Sequence, residues 1–418
     1  MLFSTFLNSL PIGYVNVVPL VYLAEIGYNP YAIGTIYSAS AIAATIGMIP
    51  CGLLADRYGK KKLLIVGTFL PVVSYAIFGL TLDPSLLMVA SFIGGVGFAG
   101  GLAAAIITPP LIPMVADSTS DHKRSTFFGV LQGAWALALA IGAALSFLPS
   151  LLSSWFAQSE RSAHFESYFI MSAVAAASMV PLLFVQERRN GSDSKTSLGS
   201  NSALSRLQQG EKHHPRRVPV TCWFRIAQFS MVFAFTGFGL GVLVQLVPTW
   251  LTLRYGASET TIGFWMAMSN LATIVSIPLI PRLVGRRGAM PTAVATGIVG
   301  ALVLALMPFT DFQTAAALFV IRSVPVGVYW AVLESYMMSA VNENERATLV
   351  GFTYTAWGIG ASLGTLIGGA LLGAGFLTLP FVAAVISYLV SSAALRLFFR
   401  KVKPLEEVTR FSMPRIGE

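Results

Sequence analysis

The chain has 418 residues, of which 55% are hydrophobic and 11% are charged, and its mean hydropathy is +0.72. Soluble domains carry about 25% charged residues, so this composition excludes a water-soluble globular enzyme and indicates a membrane-embedded protein. A helix needs about 20 residues to cross a bilayer, so twelve spans with short connections would use about 400 residues. The net charge of +9 is interpreted as a topology signal, and no nucleic-acid partner is expected.

Twelve apolar runs follow one another along the chain and predict an all-α membrane protein. We expect residues 1–186 to form a first six-helix bundle and residues 220–400 a second, with a polar linker at 187–219 and a cytoplasmic tail at 401–418. The first run lacks a basic n-region and an A-x-A site, so it is interpreted as a spanning helix rather than a signal peptide. The predicted spans are 2–24, 31–54, 63–82, 85–115, 126–149, 166–185, 221–252, 260–281, 290–309, 312–340, 347–373 and 378–399.

Basic residues cluster on one side of the predicted membrane. With both termini in the cytoplasm, 24 of the 27 basic residues lie on the cytoplasmic side, Arg161 and Arg254 lie outside, and Arg322 lies within a span. This bias predicts an integral protein of the plasma (inner) membrane with both termini cytoplasmic. Cys51 and Cys222 then face a reducing compartment, so neither a disulfide nor a metal site is expected.

The two halves repeat each other. Residues 18–59 align without a gap on residues 247–288, and a second register aligns predicted span 5 with predicted span 11. Such a duplication of six-helix halves is typical of secondary transporters. The matched pairs include Pro19 with Pro248, Arg57 with Arg286, Arg124 with Arg346, Gln132 with Tyr354, Trp135 with Trp357 and Gly142 with Gly364.

The loop between predicted spans 2 and 3 reads GLLADRYGKK from residue 52 to residue 61. This loop resembles the signature G-x-x-x-D-R-x-G-R/K-R/K of the major facilitator superfamily, and the twelve spans, the repeat and the linker extend the resemblance to the whole chain. The resemblance implies two pseudo-symmetric six-helix bundles and secondary active transport of a small organic solute by alternating access, in a monomer without a cofactor. No metalloprotease or phosphate-loop motif occurs, so neither a metalloprotease nor an ATP-driven pump is predicted, and the chain is not expected to be an enzyme.

The same loop supplies the predicted inner gate. The anion Asp56 stands at a helix end and can accept hydrogen bonds from a helix N-terminus, which the resemblance implies to be residues 346–348. Arg57 needs an acidic partner, for which Asp117 is the candidate, and Asp117 with Arg124 resembles the acid–arginine pair of the family's helices 4 and 5. The alternative is that these charges only set topology and are solvated. The predicted gate comprises Gly52, Asp56, Arg57, Gly59, Lys60, Asp117 and Arg124.

Two charges fall deep within the predicted tenth span, and charges inside spans are expensive and usually functional. Arg322 is predicted near the midplane, where it could hold a carboxylate or phosphate, or could instead be a structural arginine. Glu334 is predicted nearer the cytoplasmic end as a proton-coupling residue, with a structural acid near the inner gate as the alternative. The resemblance implies that helices 1, 4, 7 and 10 line the central cavity.

Polar and aromatic residues complete the predicted binding set for an anionic or amphipathic solute, although packing is the favoured interpretation of each residue taken singly. Glu25 and Arg254 occupy equivalent outer rims and are candidates for an outer gate, or are simply solvated. Two alternatives stay open, namely a multidrug or metabolite proton antiporter and a non-transporting membrane sensor or scaffold. The further binding candidates are Tyr14, Asn16, Gln132, Trp135, Asn270, Tyr329, Trp330, Tyr354 and Trp357.

Overall fold

The computed structural model describes residues 2–58, 60–96, 100–108, 121–184, 220–339 and 346–399. Within these ranges every regular element is helical, and ten helices are long and apolar enough to cross a membrane. A bent helix pair supplies an eleventh span, and the predicted fourth span is described in two pieces. The predicted all-α membrane fold is therefore confirmed, whereas the linker at 187–219 and the tail at 401–418 lie outside the described residues.

The spans are labelled in chain order. They are α1 (Leu2–Val15 and Val18–Glu25), α2 (Pro30–Tyr58), α3 (Lys60–Phe78), α4 (Pro84–Gly94 and 101–108), α5 (Asp121–Ala144), α6 (Glu160–Ala177), α7 (Val220–Val242 and Val247–Tyr255), α8 (Glu259–Val275 and Leu279–Arg287), α9 (Ala289–Leu306), α10 (Phe312–Ser339), α11 (Arg346–Gly373) and α12 (Leu379–Phe399). Shorter helical pieces lie at Leu145–Phe147, Leu148–Phe156, Val180–Leu183, Val244–Leu246 and Met307–Phe309.

Proline explains why α1 and α7 are each interrupted at equivalent points. Pro19 and Pro248 stand in the first turn of the second segment of their helices. Proline has no backbone N–H, so it is tolerated in a first turn but disrupts a helix interior. A third break follows the same rule, because α8 bends by 51° beside Pro278. Each of these three spans was predicted as one continuous helix.

The interval between the predicted spans 126–149 and 166–185 is largely helical in the structure, which corrects the predicted start of the sixth span. The structure has a helix at Leu148–Phe156, and α6 already begins at Glu160 rather than at residue 166. Ser159 caps α6 by accepting a hydrogen bond from the Ser162 backbone N–H at 3.3 Å, and Glu160 complements the positive end of the helix dipole. His164 therefore lies within a helix.

Glycines allow close packing within each half. Gly142 of α5 lies against the Leu10 carbonyl of α1, and its repeat partner Gly364 of α11 lies against the Phe238 carbonyl of α7. Gly360 and Gly368 extend the second contact along α7. A side chain at these positions would collide with backbone atoms, so small residues set how closely the helices approach.

The halves meet through α2 with α11 and through α5 with α8. A Cβ atom on Gly34 of α2 would lie 2.8 Å from the Thr365 carbonyl oxygen of α11, and one on Gly263 of α8 would lie 2.5 Å from the Ala143 carbonyl oxygen of α5. The Thr249 hydroxyl of α7 donates to the Leu20 carbonyl of α1 at 3.1 Å. These contacts lie towards the end of the bundle where α1 ends and α2 begins, which is the predicted extracellular side and is called the outer end below.

Candidate substrate and proton site

The helix α10 carries both of the deep charges that the sequence singled out. Arg322 and Glu334 are twelve residues apart, which corresponds to about 18 Å along a helix axis. They therefore occupy separate environments, and each has its own neighbours on other helices of the C-terminal half.

Glu334 contacts one member of a group of four aromatic rings from α7, α10 and α11, which we call the aromatic cluster: Phe233, Trp330, Tyr354 and Trp357. The Tyr354 hydroxyl donates a hydrogen bond of 2.6 Å to the Glu334 carboxylate. The Phe233 ring centroid lies 5.7 Å from that of Tyr354 and 5.9 Å from that of Trp330, and the centroids of Trp330 and Trp357 are 6.4 Å apart. The structure thus brings together four predicted site residues.

The aromatic cluster is not a closed core. Phe233 is fully buried, whereas Trp330, Tyr354 and Trp357 are half-buried. The Trp357 indole N–H is buried without a hydrogen-bond partner among the described residues. A carboxylate and a free N–H donor beside aromatic faces form a surface that can bind an amphipathic molecule. Phe233 was missed by the sequence analysis because a phenylalanine in an apolar run gives no distinguishing signal.

Arg322 is almost completely buried, at 4% exposure. Its guanidinium carbon lies 5.5 Å from the ring centroid of Tyr388 on α12 and 5.9 Å from that of Phe319 on its own helix. Its Nε atom has no hydrogen-bond partner, and no ion pair to Arg322 occurs in the part of the chain that the structure describes. A buried cation held by aromatic rings rather than by a carboxylate can accept an anion. Tyr388 was not among the predicted residues.

Two predicted binding residues lie inside the packing of one half in this conformation, and their binding role stays a prediction. Tyr14 is fully buried and donates a 2.5 Å hydrogen bond to the Ser167 hydroxyl of α6. Tyr329 is 5% exposed, and its hydroxyl lies 3.2 Å from the Thr236 hydroxyl and 3.3 Å from the Ser391 hydroxyl. Both phenols tie helices together within one half, so neither presents a surface to a solute.

Three further predicted binding residues do not belong to the aromatic cluster. Asn270 of α8 donates to the Met266 carbonyl of its own helix at 3.0 Å. Asn16 stands at the break in α1, and its amide oxygen is buried without a hydrogen-bond partner among the described residues. Trp135 of α5 is half-buried. Their roles in binding stay predictions.

The predicted inner gate falls largely outside the described part of the chain. Its backbone is described where α2 ends at Tyr58 and α3 begins at Lys60. Gly59 and Asp117 lie outside the described residues, and the gate stays a prediction. For the remaining gate residues the structure describes the backbone and not the side chain: Gly52, Asp56, Arg57, Lys60 and Arg124. The same holds for the binding candidate Gln132.

The predicted outer-gate pair is not in contact in this conformation. Glu25 and Arg254 are both exposed, and no ion pair joins them in the described ranges. A different pair joins the halves there, because His164 Nε2 of α6 lies 3.0 Å from the Glu259 carboxylate of α8. His164 was not predicted because the expected sixth span began only at residue 166, although Ser159 followed by Glu160 is a helix-start signal.

Comparison with known proteins decides the family. The Major Facilitator Superfamily model matches residues 1–310 and 229–414, which together span nearly the whole chain. The chain belongs to the major facilitator superfamily. Solved structures agree with this fold: the nucleoside transporter NupG superimposes with a TM-score of 0.69, at 17% identity over 95% of this chain and 98% of that one. A bacterial homologue of the human lysosomal transporter Spinster gives a TM-score of 0.67, at 17% identity over 96% of this chain and 95% of that one.

Relatives within the superfamily match a shorter part of the chain. The quinolone resistance protein NorA of Staphylococcus aureus is 32% identical over 130 residues, which is 31% of this chain and 32% of NorA. An uncharacterized MFS-type transporter of Methanocaldococcus jannaschii is 28% identical over 140 residues, which is 33% of this chain and 34% of that protein. The matched segment thus spans about a third of the length of these curated relatives.

Proposed function

We propose that this chain is a secondary active transporter that exports an amphipathic organic cation in exchange for protons. The observation that carries the proposal is the Glu334 carboxylate, which is held by Tyr354 beside Trp330 and Trp357. Aromatic ring faces attract organic cations, and a carboxylate adds the opposite charge.

The exchange of protons for the cation follows because the Glu334 carboxylate can hold only one of them at a time. A carboxylate inside a membrane span is expensive to leave charged and unpaired, so Glu334 holds either a proton or a cationic solute. Binding of one partner then displaces the other. If the two six-helix halves rock about the site, a proton entering from one side drives the release of a cation to the other side.

The relatives favour export over import. NorA is named for resistance to quinolones, which fits removal of amphipathic compounds from a cell. The finer features belong to the same proposal: bundles at 1–186 and 220–400, cytoplasmic termini, an inner-membrane location, a monomer, and an inner gate centred on Asp56 and Arg57. The positive-inside charge bias supports the orientation.

Flux measurements in proteoliposomes test the proposal. With an imposed proton gradient, we expect the wild type to move ethidium, an aromatic cation. In Glu334→Gln this gradient-driven flux should be at least 100-fold lower than in the wild type. Gln keeps the shape of the side chain but removes both its charge and its exchangeable proton. The matched control is Glu166→Gln on the exposed face of α6, which should transport normally.

The same assay separates the alternatives. Gradient-driven ethidium flux that survives Glu334→Gln would contradict the proposal. Movement of an organic anion that is lost in Arg322→Gln would instead favour the second candidate, an anion transporter, which is supported by the buried guanidinium without a carboxylate partner among the described residues. An inserted, folded protein without any flux would favour the sensor or scaffold.

A further inference from the structure

A buried contact between a histidine and a carboxyl group connects the two halves at the outer end, far along the chain from Glu334. His164 of α6 belongs to the N-terminal half and Glu259 of α8 to the C-terminal half, and they are 7% and 8% exposed. The His164 Nε2 atom lies 3.0 Å from both oxygens of the Glu259 carboxylate. Any movement that opens the outer end between these helices must break this contact.

Hydrogen bonding fixes how many protons the pair holds. The other ring nitrogen, His164 Nδ1, lies 2.7 Å from the Glu160 backbone carbonyl oxygen. A carbonyl oxygen only accepts, so Nδ1 carries a hydrogen. In a neutral ring Nε2 would then be an acceptor as well, and it would face an acceptor-only carboxylate. The observed contact therefore requires one further proton, either on Nε2 or on Glu259.

The surroundings favour retention of this proton. The Tyr22 ring of α1 stacks on the His164 ring with centroids 3.7 Å apart and an angle of 15° between their planes. An electron-rich ring face stabilises a neighbouring cation. The other titratable or charged groups that face the pair are Glu25 from α1, Glu160 and Arg161 from α6, and the buried phenols of Tyr14 and Tyr168.

We propose that His164 and Glu259 form a proton-binding latch that joins the halves: the closed outer end takes up one proton from the external water and releases it when the halves separate. The movement of the halves is the one assumed in the proposed function, on which this inference rests. No bond other than that to the proton is made or broken. External acid thus closes the outer end, and external alkali opens it.

The size of the effect follows from proton linkage. In the open state, water surrounds both side chains, and an imidazole in water has a pKa of about 6.5. The closed state binds one proton more than the open state above that pH. The ratio of open to closed protein should therefore rise by up to about tenfold for each pH unit above about 6.5, and it should be nearly constant below that value.

Distance measurements on the full chain in lipid nanodiscs test this latch without any substrate. Spin labels are placed at Trp155→Cys and Phe376→Cys, two exposed positions at the outer ends of the two halves, in a Cys51→Ser, Cys222→Ser background. Double electron–electron resonance then gives the open and closed populations between pH 5.5 and 8.5. We expect the longer distance to gain population as pH rises in the wild type.

Three variants make the result decisive. His164→Gln and Glu259→Gln should each abolish the pH dependence, because neither can hold the shared proton, whereas His213→Gln in the predicted linker should behave as the wild type. A wild-type distribution that does not change with pH, or a shift that survives in either latch variant, would overturn the proposal. The readout is independent of flux, so a pH-dependent distance in a chain that moves no ethidium would uphold the latch and reject the proposed function.

Discussion

Two groups of aromatic side chains, one from each half, differ in what they contact. In the N-terminal half, Tyr14 and Tyr168 are fully buried and meet edge to face with ring centroids 6.0 Å apart. The Tyr14 hydroxyl donates a hydrogen bond to the Ser167 hydroxyl. In the C-terminal half, Trp357 and Tyr354 are half-buried, and the Tyr354 hydroxyl bonds to a carboxylate. The first arrangement packs into a buried core, and the second bonds to the Glu334 carboxylate.

This difference arises within a repeated sequence. Trp135 and Trp357 occupy equivalent positions, yet Trp357 is the one placed in a ring contact with Trp330 beside Glu334. A duplication supplies two copies of the same scaffold, and the second copy differs here by Glu334 on α10 and by Tyr354, which stands where the first half has Gln132. The binding role is therefore expected to be unequal between the halves, even where the residues match.

The largest effect after loss of Glu334 itself is expected when its hydroxyl partner is removed. Tyr354→Phe should lower proton-driven ethidium flux about tenfold or more, because a hydrogen bond to a charged group contributes about 1.5–3 kcal/mol. Tyr14→Phe makes the same chemical change in the N-terminal half and should leave flux unchanged while it lowers the unfolding temperature. Equal flux losses in the two variants would remove the distinction between the halves.

A smaller effect is expected at the paired tryptophans. Trp357→Phe should raise the KM for ethidium about two- to fivefold, since the substitution removes the free indole N–H and weakens a cation–π contact of about 0.5–1 kcal/mol. Trp135→Phe serves as the matched change. If the KM responds equally to both substitutions, the site is shared between the halves rather than confined to one of them.

The smallest effect concerns a feature in which the halves agree. Asp83 caps α4 by accepting from Ser85 and Leu86, and Asp311 caps α10 by accepting from Gln313 and Thr314. Asp83→Ala should cost about 1 kcal/mol of stability without changing flux, because the cap supports the helix and not the site. A change in ethidium KM would contradict that assignment.

The second cap also has a pH signature. Hydrogen bonds from the Thr314 side chain and then from backbone N–H groups hold the pKa of Asp311 below its ordinary value. The stabilisation it gives is therefore complete above the ordinary aspartate pKa and is lost as the pH falls through the lowered one.

The membrane-spanning helices could be predicted well from this sequence because hydropathy acts over whole segments. The apolar runs predicted the spans, and the one-sided distribution of Lys and Arg predicted their orientation, which stays a prediction. The loop motif from Gly52 to Lys61 was sufficient to predict the family. These signals are redundant, so an error at one residue does not remove them.

Contacts between distant segments could not be predicted in the same way. Glu334 and Tyr354 were each singled out, but their hydrogen bond depends on how α10 is rotated against α11. Tyr14 and Trp330 look alike in sequence, since both are aromatic residues in apolar spans, and only packing separates a core ring from a half-buried one. His164 was not predicted because the start of α6 was placed at residue 166 instead of Glu160, and local signals are weakest at helix boundaries.

The helix α11 carries glycines on two faces that have different neighbours. Gly360 and Gly364 contact α7 of the same half, whereas Gly358 and Gly369 contact Thr45 and the start of α2 across the boundary between the halves. A bulkier residue on the first face would loosen one bundle from within, and one on the second face would leave both bundles intact while it weakens their mutual attraction. Substitutions on the two faces of one helix should therefore affect different properties, the stability of one bundle and the balance between conformations. A bulky residue at Gly358 or Gly369 should favour a conformation of the transporter in which the halves are apart.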